Sequence, residues 1–438
     1  MAVRVPPVMR RVGSAVRGRP RLPVRLNPRR ARIFALLGLL GPGLIAANAG
    51  NDAGGIATYS SIGAKYGYGL LWTIVLVTIS LAIVQWLAAR MGVVTGKGLA
   101  ELIREEYGIR WSVLATVAVL TANLGICISD FVGAGAALGL AGVPAQVSVP
   151  IAAVGIWLII VRGSYRTAER IFVWFTIPFF AYPIAAVLAK PHWGAVGKAI
   201  IHPELQSNST YIVLLIATIG TTITPYMQLY LQSAVVERGV RVEELRKEQT
   251  EAASGAVFAC IVSAFIVIAT GATLFTHGVH EIGTAAEAAR ALNPFAGRFA
   301  ETLFGIGLLG ASLLAAAILP IATSYVVSES LGYEKGIGRR REEAPVFVGV
   351  ITGMIAISAI VAVIPGVPVI SLLIGVQVVN GLLLPINLFF IWQLARSRRV
   401  MGEYRSRGLL DATTGLTVVV LSALSLVLVL VTVFGVTL

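Results

Sequence analysis

Long apolar runs, separated by short polar segments, constrain this chain more than any other feature. About eleven runs are long enough to form a helix that crosses a bilayer, which takes roughly 20 residues. Of the 438 residues, 57% are hydrophobic and only 13% are charged. Soluble domains carry charge on about a quarter of their residues. The chain is therefore predicted to be an all-α polytopic membrane protein, with the lipid bilayer as its surroundings.

Basic residues indicate how the spans are oriented. The predicted spans cover 33–67, 69–95, 111–142, 146–162, 168–189, 210–236, 253–276, 296–331, 345–364, 367–395 and 410–437. Arginine and lysine concentrate in alternate connections, at 97–110, 162–170, 238–247, 335–341 and 396–407. Because cytoplasmic loops carry the excess of these residues, we predict a cytoplasmic N-terminus and a C-terminus outside. A bacterial plasma membrane is the expected location.

The net charge of +14 comes partly from residues 1–32, which are rich in arginine and proline. This stretch has no apolar run that would make it a secretory signal. We expect a disordered basic cytoplasmic tail held near anionic lipids. The remaining basic residues lie in short loops, so nucleic acid is not a predicted partner, and no obligate protein partner is evident.

The segment GNDAGG, residues 50–55, interrupts the first apolar run with a carboxylate and three glycines. Glycine weakens helix formation, and broken spanning helices are tolerated where the freed backbone faces protein or water. A carboxylate at membrane depth is costly without a partner. We therefore predict that Asp52, with Asn51 beside it, lines a cation site. The structural alternative is that Asp52 caps a half-helix or pairs with an arginine.

A second interruption, IGTTITPY at residues 219–226, lies in the sixth span. Pro225 removes a backbone donor there. Thr221 and Thr224 share a helical face and offer hard oxygen donors, or alternatively bond back to the helix. Interrupted spans at matching positions of two five-helix halves are typical of inverted-repeat transporters. The predicted halves are 33–190 and 209–396, and the span at 410–437 is additional.

Several other polar residues occupy apolar spans. Gln377 and Asn380 share one face of the tenth span, where they line an ion path or join two helices. Asp130, in the third span, is either a second charge or proton carrier near the site, or a residue paired locally at the outer end. Tyr226 either packs or reaches a water, and packing is favoured. No methionine or histidine is expected beside either break, which favours a hard ion.

Three stretches carry a family resemblance: GPGLIAANAGNDAGGIATYSSIGAKYGYGLLW at 41–72, VQWLAARMGVVTGKGLAELIREEYG at 84–108 and IGTTITPYMQLYLQSAVVERG at 219–239. They resemble the NRAMP divalent-metal transporters, whose first span carries Asp-Pro-Gly-Asn and whose sixth carries Met-Pro-His. The resemblance extends to Gln377 of the tenth span. It implies a LeuT-like 5+5 inverted repeat with broken helices 1 and 6.

The departures from the family pattern concern the ion site. By the resemblance, Asp52 matches the ligand aspartate, Gly55 stands at the ligand asparagine, and Thr221 matches a position whose carbonyl contacts the ion. Thr224 replaces the methionine, and Tyr226 replaces the histidine linked to proton coupling. These substitutions resemble the branch of NRAMP-related magnesium transporters.

The predicted function is alternating-access transport of partly hydrated Mg²⁺, with Mn²⁺ as a further substrate. Mg²⁺ keeps several waters, so a roomy, oxygen-lined site with one carboxylate suits it. Ser129 and Val132 stand at the family's proton-route acids, with Asp130 shifted by one, and the paired arginines of the ninth span are missing. Transport is therefore predicted to be independent of protons.

Two alternatives remain open. One is a proton-coupled Mn²⁺ or Fe²⁺ transporter of the same family, which strong Cd²⁺ uptake would favour. The other is a Na⁺-coupled symporter of organic solutes with the LeuT fold, although Asp52 would repel an anionic solute. No nucleophile–base set or cofactor motif occurs at membrane depth, so neither enzymatic activity, catalytic residues nor a cofactor is predicted.

Overall fold

Helices make up nearly all of the secondary structure in the computed structural model. The structure describes residues 42–434 except 164, 207, 283–287, 290–297, 338, 340 and 365–368, all within one unit that spans Leu40–Leu438. The predicted basic tail, 1–32, lies outside the described residues. The helices are α1 Pro42–Ala49, α2 Ala53–Tyr66, α3 Leu71–Thr95, α4 Leu99–Tyr107, α5 Ile109–Leu140, α6 Ala145–Arg162, α7 Tyr165–Thr176, α8 Ala181–Leu188, α9 Trp193–Ile201, α10 Ser209–Thr222, α11 Pro225–Arg238, α12 Leu245–Thr273, α13 Arg298–Leu331, α14 Pro345–Ala362, α15 Val369–Arg396, α16 Arg398–Met401 and α17 Leu409–Phe434.

The prediction of a polytopic helical membrane protein is confirmed. Within the described residues, nine helical segments are long and apolar enough to cross a membrane. The broken pair α1–α2 and the apolar helix α17 lie where the other two spans were predicted. The fifth span is divided by a 3₁₀ turn, Ile177–Phe180, where Pro178 has no backbone N–H to continue the helical hydrogen bonds.

The helices that the sequence prediction assigned to connecting segments include two of nine residues, α4 and α9. Neither is long enough to cross a bilayer, so a search for apolar runs passes over them. Helix α4 is amphipathic. It buries Leu99, Leu102 and Ile103 and leaves its charged residues on the other side. This helix becomes important below because it carries Glu101.

Both predicted helix breaks are present. Helix α1 ends at Ala49 and α2 begins at Ala53, with extended backbone at Asp52 between them. Helix α10 ends at Thr222 and α11 begins at Pro225, with extended backbone at Thr224. The segments that form each break are buried in protein, as unpaired backbone at membrane depth requires.

The neighbouring helices bring the two breaks together. Helix α12 packs on α1, α2 and α3, while α10 packs on α15 and α11 on α3. The contact of α10 with α15 is very close at Gly220, where an added Cβ would lie 2.5 Å from the amide nitrogen of Gly381 and would collide with the carbonyl oxygen of Gln377. Glycine at 220 therefore lets α15 approach the second break.

Replacing Gly220 by alanine is expected to destabilise the protein. The added methyl group meets backbone atoms, which cannot move aside as a flexible side chain would, so we expect a loss of roughly 1–3 kcal/mol or more. The melting temperature in detergent measures this loss. Gly155→Ala in α6 is the matched control, because among the described residues no atom beyond its neighbours in the same helix lies within 4 Å of its Cβ position. Equal melting temperatures for the two variants would contradict the close packing.

Candidate functional site

The carboxylate of Asp52 lies fully buried at the first break, where it caps α2. One carboxylate oxygen, Oδ1, accepts the backbone N–H of Gly55. The Gln377 side chain on α15 donates to both carboxylate oxygens, at 2.9 and 3.1 Å. Asp52 thus fulfils the capping alternative and also contacts a polar side chain predicted for the ion path. No arginine or lysine pairs with it among the described residues.

Gly55 lies among three oxygen atoms. A Cβ added to this glycine would lie 2.7 Å from Thr221 Oγ1, 3.1 Å from the carbonyl oxygen of Gly50 and 3.3 Å from Asp52 Oδ1. The same construction at Gly54 would collide with Nε2 of Gln377. The two glycines therefore let a hydroxyl, a backbone carbonyl and a carboxylate converge on one small region, as a hard cation requires.

The threonines of the second break divide into two kinds. Thr218 and Thr222 donate back to the carbonyl oxygens of Leu214 and Thr218, each at 2.6 Å. The hydroxyls of Thr221 and Thr224 are buried and have no hydrogen-bond partner among the described residues. The back-bonding alternative therefore does not describe Thr221 and Thr224. Two buried hydroxyls without partners indicate a place where a polar ligand would bind.

Tyr226 links the second break to the first. Its buried hydroxyl donates to the carbonyl oxygen of Ala49, the last residue of α1, at 2.6 Å. The favoured interpretation of a packed tyrosine agrees with its burial, and the hydroxyl satisfies a carbonyl that the helix break leaves free. The side chain therefore holds the end of α1 against the start of α11.

The expectation that no methionine lies beside either break is wrong. Met227 is fully buried in the first turn of α11, and its side chain contacts Gly50 so closely that an added Cβ there would collide with it. Met227 follows Tyr226 directly, so the sequence held the signal. An apolar side chain does not stand out in an apolar span, so no role was predicted for it. Its sulfur packs at the end of α1, next to the first break.

Asp130 lies at the first break and not at the outer end of its helix. It is fully buried, and its Oδ1 accepts the backbone N–H of Ala53 at 3.0 Å. Its Oδ2 has no hydrogen-bond partner among the residues that the structure describes. Two carboxylates, Asp52 and Asp130, therefore hold the N-terminus of α2, which carries a partial positive charge.

The amides around the site have different roles. The Asn380 amide donates to Gln377 Oε1 at 3.0 Å, which orients Gln377 toward Asp52. Asn51, in contrast, is held by α12: it donates to the carbonyl oxygen of Ala259 at 2.9 Å and accepts the Ser263 hydroxyl at 2.7 Å. Asn380 thus supports a residue that contacts Asp52, whereas Asn51 anchors the unwound segment to α12.

Two broken helices that meet at buried polar groups define the class, an integral membrane carrier. The chain belongs to the Nramp family: the family model described as natural resistance-associated macrophage protein-like matches residues 43–431. A similar protein from Ralstonia nicotianae, named divalent metal cation transporter MntH, is 29% identical over 419 residues, which cover 90% of this chain and 91% of that protein. One of the same name from Deinococcus radiodurans is 28% identical over 363 residues, 78% of this chain and 79% of that protein.

Solved structures support the same fold. A crystal structure of an Eremococcus coleocola manganese transporter, in complex with an aromatic bis-isothiourea substituted compound, has a TM-score of 0.76 at 21% identity and covers 91% of this chain and 87% of its own. The structure of MhsT in complex with L-phenylalanine has a TM-score of 0.62 at 12% identity, with 89% and 97% covered. The predicted architecture with broken helices 1 and 6 is thereby confirmed.

Proposed function

We propose that this chain moves divalent cations across the membrane by alternating access, and that its main cargo is partly hydrated Mg²⁺, with Mn²⁺ as a further cargo. Asp52, Gly55, Thr221 and Thr224 would form the ion site. The observation that carries the proposal is the convergence of three oxygens on the Cβ position of Gly55. The printed names of the relatives, divalent metal cation transporters, support the cargo class.

The polar groups at the breaks favour an ion that keeps water. Mg²⁺ dehydrates reluctantly and usually retains several waters, bound through one or two carboxylates. Asp52 offers a buried carboxylate at the first break. The hydroxyls of Thr221 and Thr224 are buried and have no hydrogen-bond partner among the described residues, so they would bind waters of the hydrated ion.

We also propose that transport is not coupled to protons. The resemblance to the family places its proton-route residues on the third and ninth spans, α5 and α14, and a route there needs titratable groups. On α5, Cys127 is the only titratable side chain between Arg110 and Asp130, and α14 carries no charged residue. Asp130 accepts the N–H of Ala53 and would serve to hold the break. The cytoplasmic N-terminus, the outer C-terminus and the bacterial plasma membrane stay predictions.

A transition-metal cargo is the second candidate, since two observations favour it. Met227 places a soft thioether at the end of α1, and soft ligands favour transition metals. Solved structures of similar fold include manganese transporters. An organic anion is disfavoured as cargo, because Asp52 and Asp130 already occupy the N-terminus of α2, where a substrate carboxylate would bind.

Uptake into proteoliposomes separates these candidates. We expect Mg²⁺ and Mn²⁺ to enter without a change of internal pH, and Cd²⁺ to compete weakly. Ion-sensitive and pH-sensitive dyes inside the liposomes measure both quantities in one preparation. Internal acidification that follows Mg²⁺ entry would contradict proton independence. Strong Cd²⁺ competition, reduced selectively by Met227→Leu, would instead establish a transition-metal transporter, since leucine keeps the packing and removes the sulfur.

A further inference from the structure

A second group of buried acids lies at the far end of α11. Thr224 precedes the first turn of this helix, and Ser233 lies about 14 Å further along it at a rise of about 1.5 Å per residue. The Ser233 hydroxyl donates to Oε1 of Glu329, on the last turn of α13, at 2.7 Å. The same half-helix therefore connects the candidate ion site with Glu329.

Glu329 is unusually enclosed for a charged residue. Its side chain is 0% exposed, and a Cβ added to Gly98, the residue before α4, would collide with its carboxylate. Its second oxygen, Oε2, has no hydrogen-bond partner in the part of the chain that the structure describes. Carboxylates are rarely buried so fully unless they are paired or coordinate a metal.

Lys335 neutralises part of this charge. Its Nζ lies 3.0 Å from Glu329 Oε1 and 3.0 Å from Glu101 Oε2 on α4. Burial lowers the pKa of Lys335, but the charges and hydrogen bonds of the two glutamates outweigh burial, so the pKa is raised above its ordinary value. One ammonium carries a single positive charge, whereas two ionised carboxylates would match a divalent cation.

There is room for a hydrated ion beside these acids. A cavity of about 230 Å³ is lined by Glu101, Ser328, Glu329 and Lys335, among others. A water in the liquid takes about 30 Å³, so several waters fit. The Ser328 hydroxyl is buried and, within the described residues, has no hydrogen-bond partner. The oxygen of this hydroxyl is a further hard ligand for a metal ion in the cavity, in addition to the carboxylates.

The loop that carries Lys335 closes this region. A neighbouring cavity of about 390 Å³ is lined by Ser233 and Glu237, and Lys335 lines both cavities. The backbone N–H of Ile337 donates to Glu237 Oε1, on the last turn of α11, at 2.9 Å. Two contacts, one through Lys335 and one through Ile337, therefore hold the loop over the end of α11.

We propose that Glu329 and Glu101, with the hydroxyls of Ser233 and Ser328, form a second site for a hydrated divalent cation, and that the Lys335 ammonium takes the ion's place in this structure. An ion that leaves the first site along α11 displaces Lys335 and releases the loop. The movement of the ion from the first site to the second rests on the proposed function. The binding of a divalent cation at the second site does not depend on that function.

Counting bound Mn²⁺ tests the second site. The aqueous Mn²⁺ signal in electron paramagnetic resonance reports free ion, so its loss on adding detergent-purified protein gives the number bound. Asp52→Asn removes the first site. In that background we expect Lys335→Met to bind one additional Mn²⁺ per chain, and Glu329→Gln added to it to abolish this ion. If Lys335→Met does not fold, Lys335→Gln takes its place in the experiment, because glutamine can still donate a hydrogen bond to Glu329.

Lys97→Met is the matched control. Lys97 also pairs with a glutamate, Glu105, but both side chains are more than one-third exposed. This variant is expected to bind no additional ion. The second site is refuted if the Lys335 variants bind no more Mn²⁺ than their Asp52→Asn parent, or if the additional ion persists in Glu329→Gln. Failure of the proposed function would appear separately, as Mn²⁺ binding by the wild-type protein that Asp52→Asn does not reduce.

Discussion

Replacing Asp52 by asparagine is expected to lower Mg²⁺ and Mn²⁺ flux into proteoliposomes by at least about 100-fold, since even groups that only orient a metal ligand cost 10–100-fold. Asparagine keeps the size of the side chain and can still accept the N–H of Gly55. What it loses is the negative charge. In a buried site, a carboxylate offsets the cost of removing water from a divalent ion, and a neutral oxygen does so to a smaller extent.

Asp411→Asn is the control for the loss of a carboxylate. Asp411, on α17, accepts the indole N–H of Trp392 at 2.9 Å and lies 3.2 Å from Nε of Arg396, so its partners are residues away from the breaks. Its replacement is expected to leave transport unchanged. If Asp52→Asn transported ions as fast as Asp411→Asn, the ion would bind elsewhere in the protein.

The sequence predicted the breaks and Asp52 because both violate a strong physical rule. A proline, a glycine cluster or a carboxylate within an apolar span is costly, so each draws attention without any knowledge of its neighbours. Gln377 was predicted to need a partner for the same reason. That this partner is Asp52, 325 positions earlier in the chain, depends on how α15 packs against α2.

Other features depend on packing that one sequence does not specify. The contact of Asp130 with Ala53 joins helices that are distant in the chain, and Met227 is apolar and therefore inconspicuous in an apolar span. Helix α4 was assigned to a loop because it is short and charged. Yet it supplies Glu101 to the second group of acids. The features that the sequence did not predict therefore depend mainly on long-range contacts and less on secondary structure.

Gly55→Ala is expected to lower transport strongly while the protein stays folded. The methyl group would lie 2.7 Å from Thr221 Oγ1, 3.1 Å from the Gly50 carbonyl and 3.3 Å from Asp52 Oδ1, and so would occupy the place where those oxygens converge. Alanine favours a helix by about 1 kcal/mol over glycine, which offsets part of the strain in α2. We therefore expect Mg²⁺ flux to fall by roughly 100-fold, comparable to the loss of a ligand's support.

The same dye assay measures this flux, and size-exclusion chromatography in detergent verifies folding. Gly139→Ala in α5 is the matched control. In the described part of the chain, its Cβ position has no neighbour within 4 Å beyond the adjacent turns of its own helix, so this variant should transport normally. The two variants separate the two requirements of the ion site. Asp52→Asn removes the negative charge and keeps the space beside Gly55, whereas Gly55→Ala keeps the charge and fills that space. Normal flux through a folded Gly55→Ala protein would mean that the ion does not pass between α2 and α10, even if Asp52 proved essential.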